Sequence, residues 1–295
     1  MKPLIRAPRE YVACEVLSHY EPAHVLRDWI DPAKLHKTTI WANPRALGWT
    51  AKHHPNIRVA WDFVSRNHAA YGPLKFSHHT DINWQYASEY GSGIFLQENL
   101  SRVNWYLIAR NKHAIGVLEN YPELLDFDNL CTNPGATHLI KQHMAKHAIA
   151  PNYCVLSSNP EWIDLLEHVP CLLDWRRLSL NSAAIHMLTA NPDKIDWHNL
   201  CANPDASELL RENLGHVNKH VISRNPGAIM LLREHPELII WEIFSQNPAI
   251  FYEDEMMIQL DTREKNQAEY VKSIINRVHE ENIAAHIAQY FSNKQ

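Results

Sequence analysis

An all-α fold, a solenoid of short stacked helices, is what this sequence predicts, and three observations predict it. A phrase of the form small–x–Asn returns along the chain at a nearly constant interval. An aromatic residue stands six positions before that Asn in most copies. Proline follows the Asn in six copies, while glycine is scarce: 8 against 17 prolines in 295 residues.

The anchors fall at Asn43, Asn67, Tyr90 (a degenerate copy), Asn111, Asn133, Asn159, Asn181, Asn203, Asn225 and Asn247, with gaps of 24, 23, 21, 22, 26, 22, 22, 22 and 22 residues. A period near 22 is the signature of one structural unit repeated. The aromatic column holds Trp61, Trp84, Trp105, Phe127, Tyr153, Trp175, Trp197 and Trp241. Two before the anchor stands Ser, Ala or Cys, Trp41 being the exception; three after it, Ala or Gly stands in eight copies. Leu or Ile dominates six and seven residues after it, as in Leu231 and Leu232.

Asn before Pro is a helix start, because the Asn side chain accepts from an orphan backbone N–H and Pro at the first helical position loses no bond. The residue before Pro also resists the α conformation, so the preceding helix stops there. From Pro226, Ala228, Ile229, Leu231 and Leu232 share one helical face, which predicts a helix of about nine residues ending near Pro236. A second cap follows, Asp174 before Trp175 and Asp196 before Trp197. Whether this first helix of each copy begins at that Asp or at an earlier proline such as Pro192 stays open.

Helices this short are marginal alone in water, so each copy buries its apolar face only against its neighbours. The expectation is about ten 22-residue two-helix repeats over residues 37–252, the aromatic column filling the space between layers. Residues 1–36 would form an N-terminal cap and residues 253–295 a charged helical cap, with Val271, Ile274, Ile275, Val278, Ile283, Ile287 and Phe291 as its apolar positions. Ten layers at about 8–10 Å would make a rod or arc roughly 80–100 Å long. Bends or bulges are expected between Gly72 and Gly93, and at the four-residue insertion before Asn159.

The net charge of −5, from 28 Lys+Arg and 33 Asp+Glu, argues against a broad nucleic-acid footprint. The five cysteines (Cys14, Cys131, Cys154, Cys171, Cys201) are scattered without a CxxC, and the N-terminus meets charge before an apolar run. The reading is free thiols in a reducing, cytoplasmic compartment without secretion. No apolar stretch approaches the ~20 residues of a membrane span.

The units IDWHNLCANPDASELL, LDWRRLSLNSAAIHML and IIWEIFSQNPAIF resemble a helical repeat common in proteins of large DNA viruses, often labelled ankyrin-like. The resemblance covers roughly residues 29–262 and is strongest over 105–252. It implies a viral binding or structural protein located in the host cytoplasm or the virion. It implies no shared active site and names no ligand.

Searches for chemistry return little. There is no GxxxxGK[ST], HExxH or GxSxG, and Gly91-Ser92-Gly93 reads as a turn. His143 and His147, and His216 and His220, have two-ligand helical spacing, with His138 nearby, but no acidic or Cys partner matches them. Surface histidines are the reading, with no metal, no cofactor and no catalytic set. Arg66, Arg110 and Arg224 share the column before the anchor; Arg176 and Arg177 lie on the first helix of their copy, and His186 in a variable column. These six are the candidate partner-binding residues. The function expected is a non-enzymatic protein–protein interaction scaffold that selects its partner through columns one before, two after and five after the anchor. A structural virion component is the alternative, and a nucleic-acid-binding repeat a further one.

Overall fold

The computed structural model describes residues 24–53, 60–71, 82–148 and 152–253. Its regular structure is almost wholly helical. The one sheet among the described residues pairs two short strands, β1 (His24–Leu26) and β2 (Phe251–Glu253). The chain divides into two units at those strands: Met1–Pro22 with Leu26–Phe251, and Ala23–Val25 with Tyr252–Gln295. The expected apolar positions from Val271 to Phe291 lie outside the described residues.

Each copy is built from shorter pieces than the two helices expected. Asp196 Oδ1 accepts from Asn199 N at 2.8 Å and starts a four-residue α-helix, Trp197–Leu200. After an anchor such as Asn225, a 3-10 turn (Pro226–Ala228) leads into an α-helix (Ile229–Glu234), which together make the nine residues expected. A second 3-10 turn follows at Pro236–Leu238. The open question about Pro192 is answered: Pro192–Lys194 is a separate 3-10 turn, and the helix begins only after Asp196. In the copy before Asn159 the helix is longer than in the others, and residues 149–151 of the insertion lie outside the described residues. Thr137–His147 runs 11 residues and stops at Ala148, whose left-handed φ of 50° ends it.

The anchor asparagine does more than cap. Asn203 Oδ1 accepts from Asp205 N at 3.0 Å, the expected cap, while its Nδ2 donates to Ser179 O at 3.1 Å and Asn181 O at 2.8 Å in the copy before. Asn225 repeats this with Cys201 O and Asn203 O, and Asn247 with Ser223 O and Asn225 O, all within 2.8–3.1 Å. Nine asparagines, Asn43 to Asn247, are buried in this row, none more than 3% exposed. A primary amide is the one uncharged side chain that offers two donors and an acceptor at once, which is why this column keeps Asn.

Serine two before the anchor is also more than small. Ser179 Oγ donates to Trp175 O at 2.8 Å and accepts from Asp196 N at 3.0 Å, tying its own helix to the start of the next copy. Ser88, Ser157, Ser223 and Ser245 make the same pair of bonds. Cys201 holds one half of the arrangement, its Sγ accepting from Asn218 N at 3.2 Å.

The core lies elsewhere than the aromatic column. Three before the anchor, Ile40, Val64, Ala87, Ile108, Leu130, Leu156, Leu178, Leu200, Ile222 and Phe244 are all buried, none above 2% exposed. Seven after it, Leu118, Ile140, Leu166, Leu188, Leu210 and Leu232 are fully buried, and alanines such as Ala184, Ala206 and Ala228 let the layers approach. The eight aromatics are only partly buried and pack on the outside of this core, so they do not fill the space between layers. Several of these rings offer a face to the next copy. Lys194 Nζ lies 4.5 Å from the Trp175 ring centre, Arg102 5.2 Å from that of Trp84, and His216 stacks on Trp197 at 4.5 Å. All three come from the position nine before the next anchor, where a cation or a ring covers the aromatic of the copy before.

Tyr90 is not the anchor of the degenerate copy. The helix Trp84–Tyr90 is extended, and Gly91 takes the anchor's place: Asn111 Nδ2 donates to Gly91 O at 2.8 Å and Ser88 O at 3.1 Å. Glycine is required there, since a Cβ would meet Ala87 O at 2.4 Å. It has no amide to offer the copy before, and the Tyr71 hydroxyl substitutes, donating to Ser65 O at 2.5 Å.

The first copy of the expected rod or arc is bonded to the last. Asn43 Nδ2 donates to Ser245 O at 3.2 Å and Asn247 O at 2.8 Å, the same two carbonyls that anchors such as Asn67, Asn203 and Asn225 take from the copy before them. His36 N donates to Ser245 Oγ at 2.8 Å, Thr39 Oγ1 to Glu242 O at 2.6 Å and Arg45 Nη1 to Phe251 O at 3.1 Å. Lys34 Nζ covers Trp241 at 5.2 Å, again from nine before the anchor. The last copy is thus the predecessor of the first, and neither presents an open apolar end there. Among the described residues, His36 and Thr39 line this seam; residues 1–23 of the expected N-terminal cap lie outside the described residues.

Candidate functional site

Residues one, four and five before the anchor are spaced by three and four along the first helix of each copy, so they share a face turned away from the buried position three before it. In five successive copies, those centred from Gly91 to Asn181, that face lines one cavity of about 1010 Å³. Tyr90, Arg110, Thr132, Ser158 and Leu180 come from the position before the anchor. Tyr106, Asp128, Asn129, Val155 and Arg177 come from the positions four and five before it.

The lining mixes charge with exposed apolar surface. Tyr106 is 59% exposed, Tyr90 40% and Leu180 37%, three of the large apolar side chains most open to solvent. Arg110 and Lys112 flank Asn111, and neither makes an ion pair among the described residues. Arg177 Nε is 3.4 Å from Asp174 Oδ2, which offsets its charge. Asp126 spends its carboxylate on Asn129, accepting from the backbone N at 2.8 Å and from Nδ2 at 2.9 Å. Glu89 and Asp128 also line the cavity. Burial, then the charge of Glu89, pushes the Tyr90 hydroxyl above its ordinary pKa.

A pair of stacked histidines stands at one end. The rings of His68 and His113 lie 4.4 Å apart at 18° and span the degenerate copy. Burial, the neighbouring His113 and Lys112 hold His68 below the ordinary imidazole pKa; burial and Lys112 do the same to His113. Both rings also line a second, apolar cavity of about 610 Å³ with Ile94 and Val117.

Of the six candidate residues, Arg110 and Arg177 meet in the large cavity. Arg66 lies with its guanidinium 4.0 Å from the Tyr86 ring centre and donates to the Tyr86 hydroxyl. Arg176 Nε is 3.8 Å from Asp196 Oδ2, and Arg224 Nη2 donates to Gln246 Oε1 at 3.1 Å. His186 Nε2 is 2.7 Å from Glu167 Oε1. These four do not line the cavity. The position five after the anchor, where His186 stands, carries inter-copy pairs such as His138 with Glu119 at 2.8 Å, so the columns expected to form one surface form two. Tyr90, Tyr106, Lys112, His68 and His113 were not singled out by the sequence. The signal available was that Tyr106 replaces, in its column, the charged or polar residues of most other copies.

The remaining candidates fall into packing roles. His143 stacks on Phe127 at 4.4 Å, and no three His, Cys, Asp or Glu side chains are grouped to hold a metal among the described residues. Burial pushes the Cys131 thiol up to about 12 and raises that of Cys201, while Cys154 and Cys171 are exposed. No helix among the described residues is long and apolar enough to cross a membrane. No family model, no curated protein and no solved structure matches the chain.

Proposed function

We propose that residues 26–251 form a closed α-solenoid of ten copies whose role is non-enzymatic: it binds a protein partner through the cavity shared by five of them. The observation that carries this is the contrast between backbone and face. Amide and hydroxyl ladders satisfy the layers internally, while the face left over gathers Tyr90, Tyr106 and Leu180 beside Arg110 and Lys112, which make no ion pair among the described residues. Exposed aromatic and arginine side chains in one concave place are what protein interfaces use as anchors. The resemblance to repeat proteins of large DNA viruses supports a viral origin and a cytoplasmic or virion setting. Glu89 and Asp128 in the same cavity speak against a nucleic-acid backbone as its occupant.

The test is purification of tagged chain, wild-type and Arg110→Glu, from the cells that express it, at physiological and high salt, with mass spectrometry. The expected result is one stoichiometric protein that survives high salt. Recovery of nucleic acid alone, lost with salt, overturns the reading.

A further inference from the structure

The large cavity has a shape and an order of charges that specify its occupant more closely, on the premise that the chain binds protein. We infer that it receives an extended peptide segment in which an acidic side chain lies next to an aromatic or aliphatic one. The cavity crosses five copies, and four intervals of about 8–10 Å make a track of roughly 30–40 Å. An extended chain advances about 3.3 Å per residue, so roughly ten residues fill the track. A helix of ten residues would span only about 15 Å of it.

Charge decides what one end holds. Arg110 and Lys112 stand on either side of Asn111 and neither makes an ion pair among the described residues, while Asp126 accepts two hydrogen bonds from Asn129. A carboxylate placed there gains two cations already in position. Tyr90 and Tyr106, from the same and the preceding copy, present the apolar surface beside that point. Glu89, one copy back, and Asp128, one copy further on, carry the opposite sign, so the track rejects a polymer charged alike along its whole length.

The experiment is selection of random decapeptides by mRNA display against the immobilised full chain, followed by affinity measurement with the enriched peptides made synthetically and labelled. The expected pool is rich in Asp or Glu adjacent to Phe, Tyr, Leu or Ile. Arg110→Glu and Tyr106→Ala should each weaken those peptides by roughly tenfold or more. Arg224→Glu, outside the cavity, should change binding by less than about twofold. Should Arg110→Glu melt or lose helicity, Lys112→Glu carries the same expectation. Three results overturn the inference: no enrichment, enriched peptides indifferent to these variants, or a dT20 oligonucleotide that binds more tightly than any peptide and is lost with Arg110→Glu. Peptides that bind elsewhere on the chain would sink this site and leave the protein-binding reading standing.

Discussion

Asn43 and Asn247 are 204 residues apart in sequence and neighbours in the amide ladder, Nδ2 of the first donating to the carbonyl of the second at 2.8 Å. Asn203 and Asn181, only 22 residues apart, meet in the same way at the same distance. The seam between the ends of the repeat array is therefore chemically an ordinary interface.

If so, its amides resist exchange as interior ones do. His36 N donates to Ser245 Oγ at 2.8 Å as Asp196 N donates to Ser179 Oγ at 3.0 Å. Native-state hydrogen exchange should show comparable protection for the two. Free exchange at His36 with protection at Asp196 would mean that the array stands open.

Ladder and cap can be separated at Asn203. Aspartate caps helices as well as asparagine does, yet it has no N–H to offer Ser179 O and Asn181 O. Asn203→Asp should therefore destabilise at least as much as Asn203→Ala, each by roughly 2–4 kcal/mol, since buried acceptors lose their donor. Denaturant melts of both variants decide it; a near-neutral Asn203→Asp would reduce the residue to a cap worth about 1 kcal/mol.

Core and aromatic column differ in the same way. Leu200 is fully buried and Trp197 only partly buried. Leu200→Ala should cost about 2–5 kcal/mol. Trp197→Ala, which uncovers roughly 100 Å² of apolar surface, should cost about 2 kcal/mol. Thermal unfolding that ranks Trp197 well above Leu200 would restore the aromatics to the core.

The degenerate copy offers a one-atom test. Tyr71→Phe removes the hydroxyl that donates to the buried Ser65 O and nothing else. A loss of about 1–2 kcal/mol is expected. Equal stability would mean that Ser65 O has another donor.

The stacked histidines give stability a pH dependence. Both rings have folded-state pKa values below the ordinary imidazole value, so the folded chain binds fewer protons than the unfolded one as pH falls. Stability is full above about pH 6.5 and declines below it, until the folded-state values are passed. His68→Gln should flatten the slope of stability between pH 7 and 5, measured by urea midpoint. An unchanged slope would place the sensitivity elsewhere.

Much of this could be read in the chain. The interval near 22, the Asn-Pro starts and the nine-residue run from Pro226 are local, and local rules wrote them correctly. The aromatic column misled because the regularity of a column does not say whether it is buried. Leu178 and Leu200, three before their anchors, were in equally regular places and carry the core. Ser179 counted as small when its hydroxyl is what the position uses. The site was half legible: charge alone picks out Arg110 and Arg177, but curvature summed over five copies is what brings Tyr90 and Leu180 beside them. That sum of small angles, like the closure it leads to, is written in no single copy.

The seam also sets an order of events in folding. Bringing together two points 204 residues apart costs an unfolded chain about 2 kcal/mol more loop entropy than bringing together two that are 22 apart. The interface gained is the same in either case, so neighbouring copies nucleate and the array grows along itself. The join between Asn43 and Asn247 is made last. Once made, it ties together the two ends from which a linear array would unzip, and shedding a copy then means breaking two interfaces together, which is far slower than peeling one from a free end.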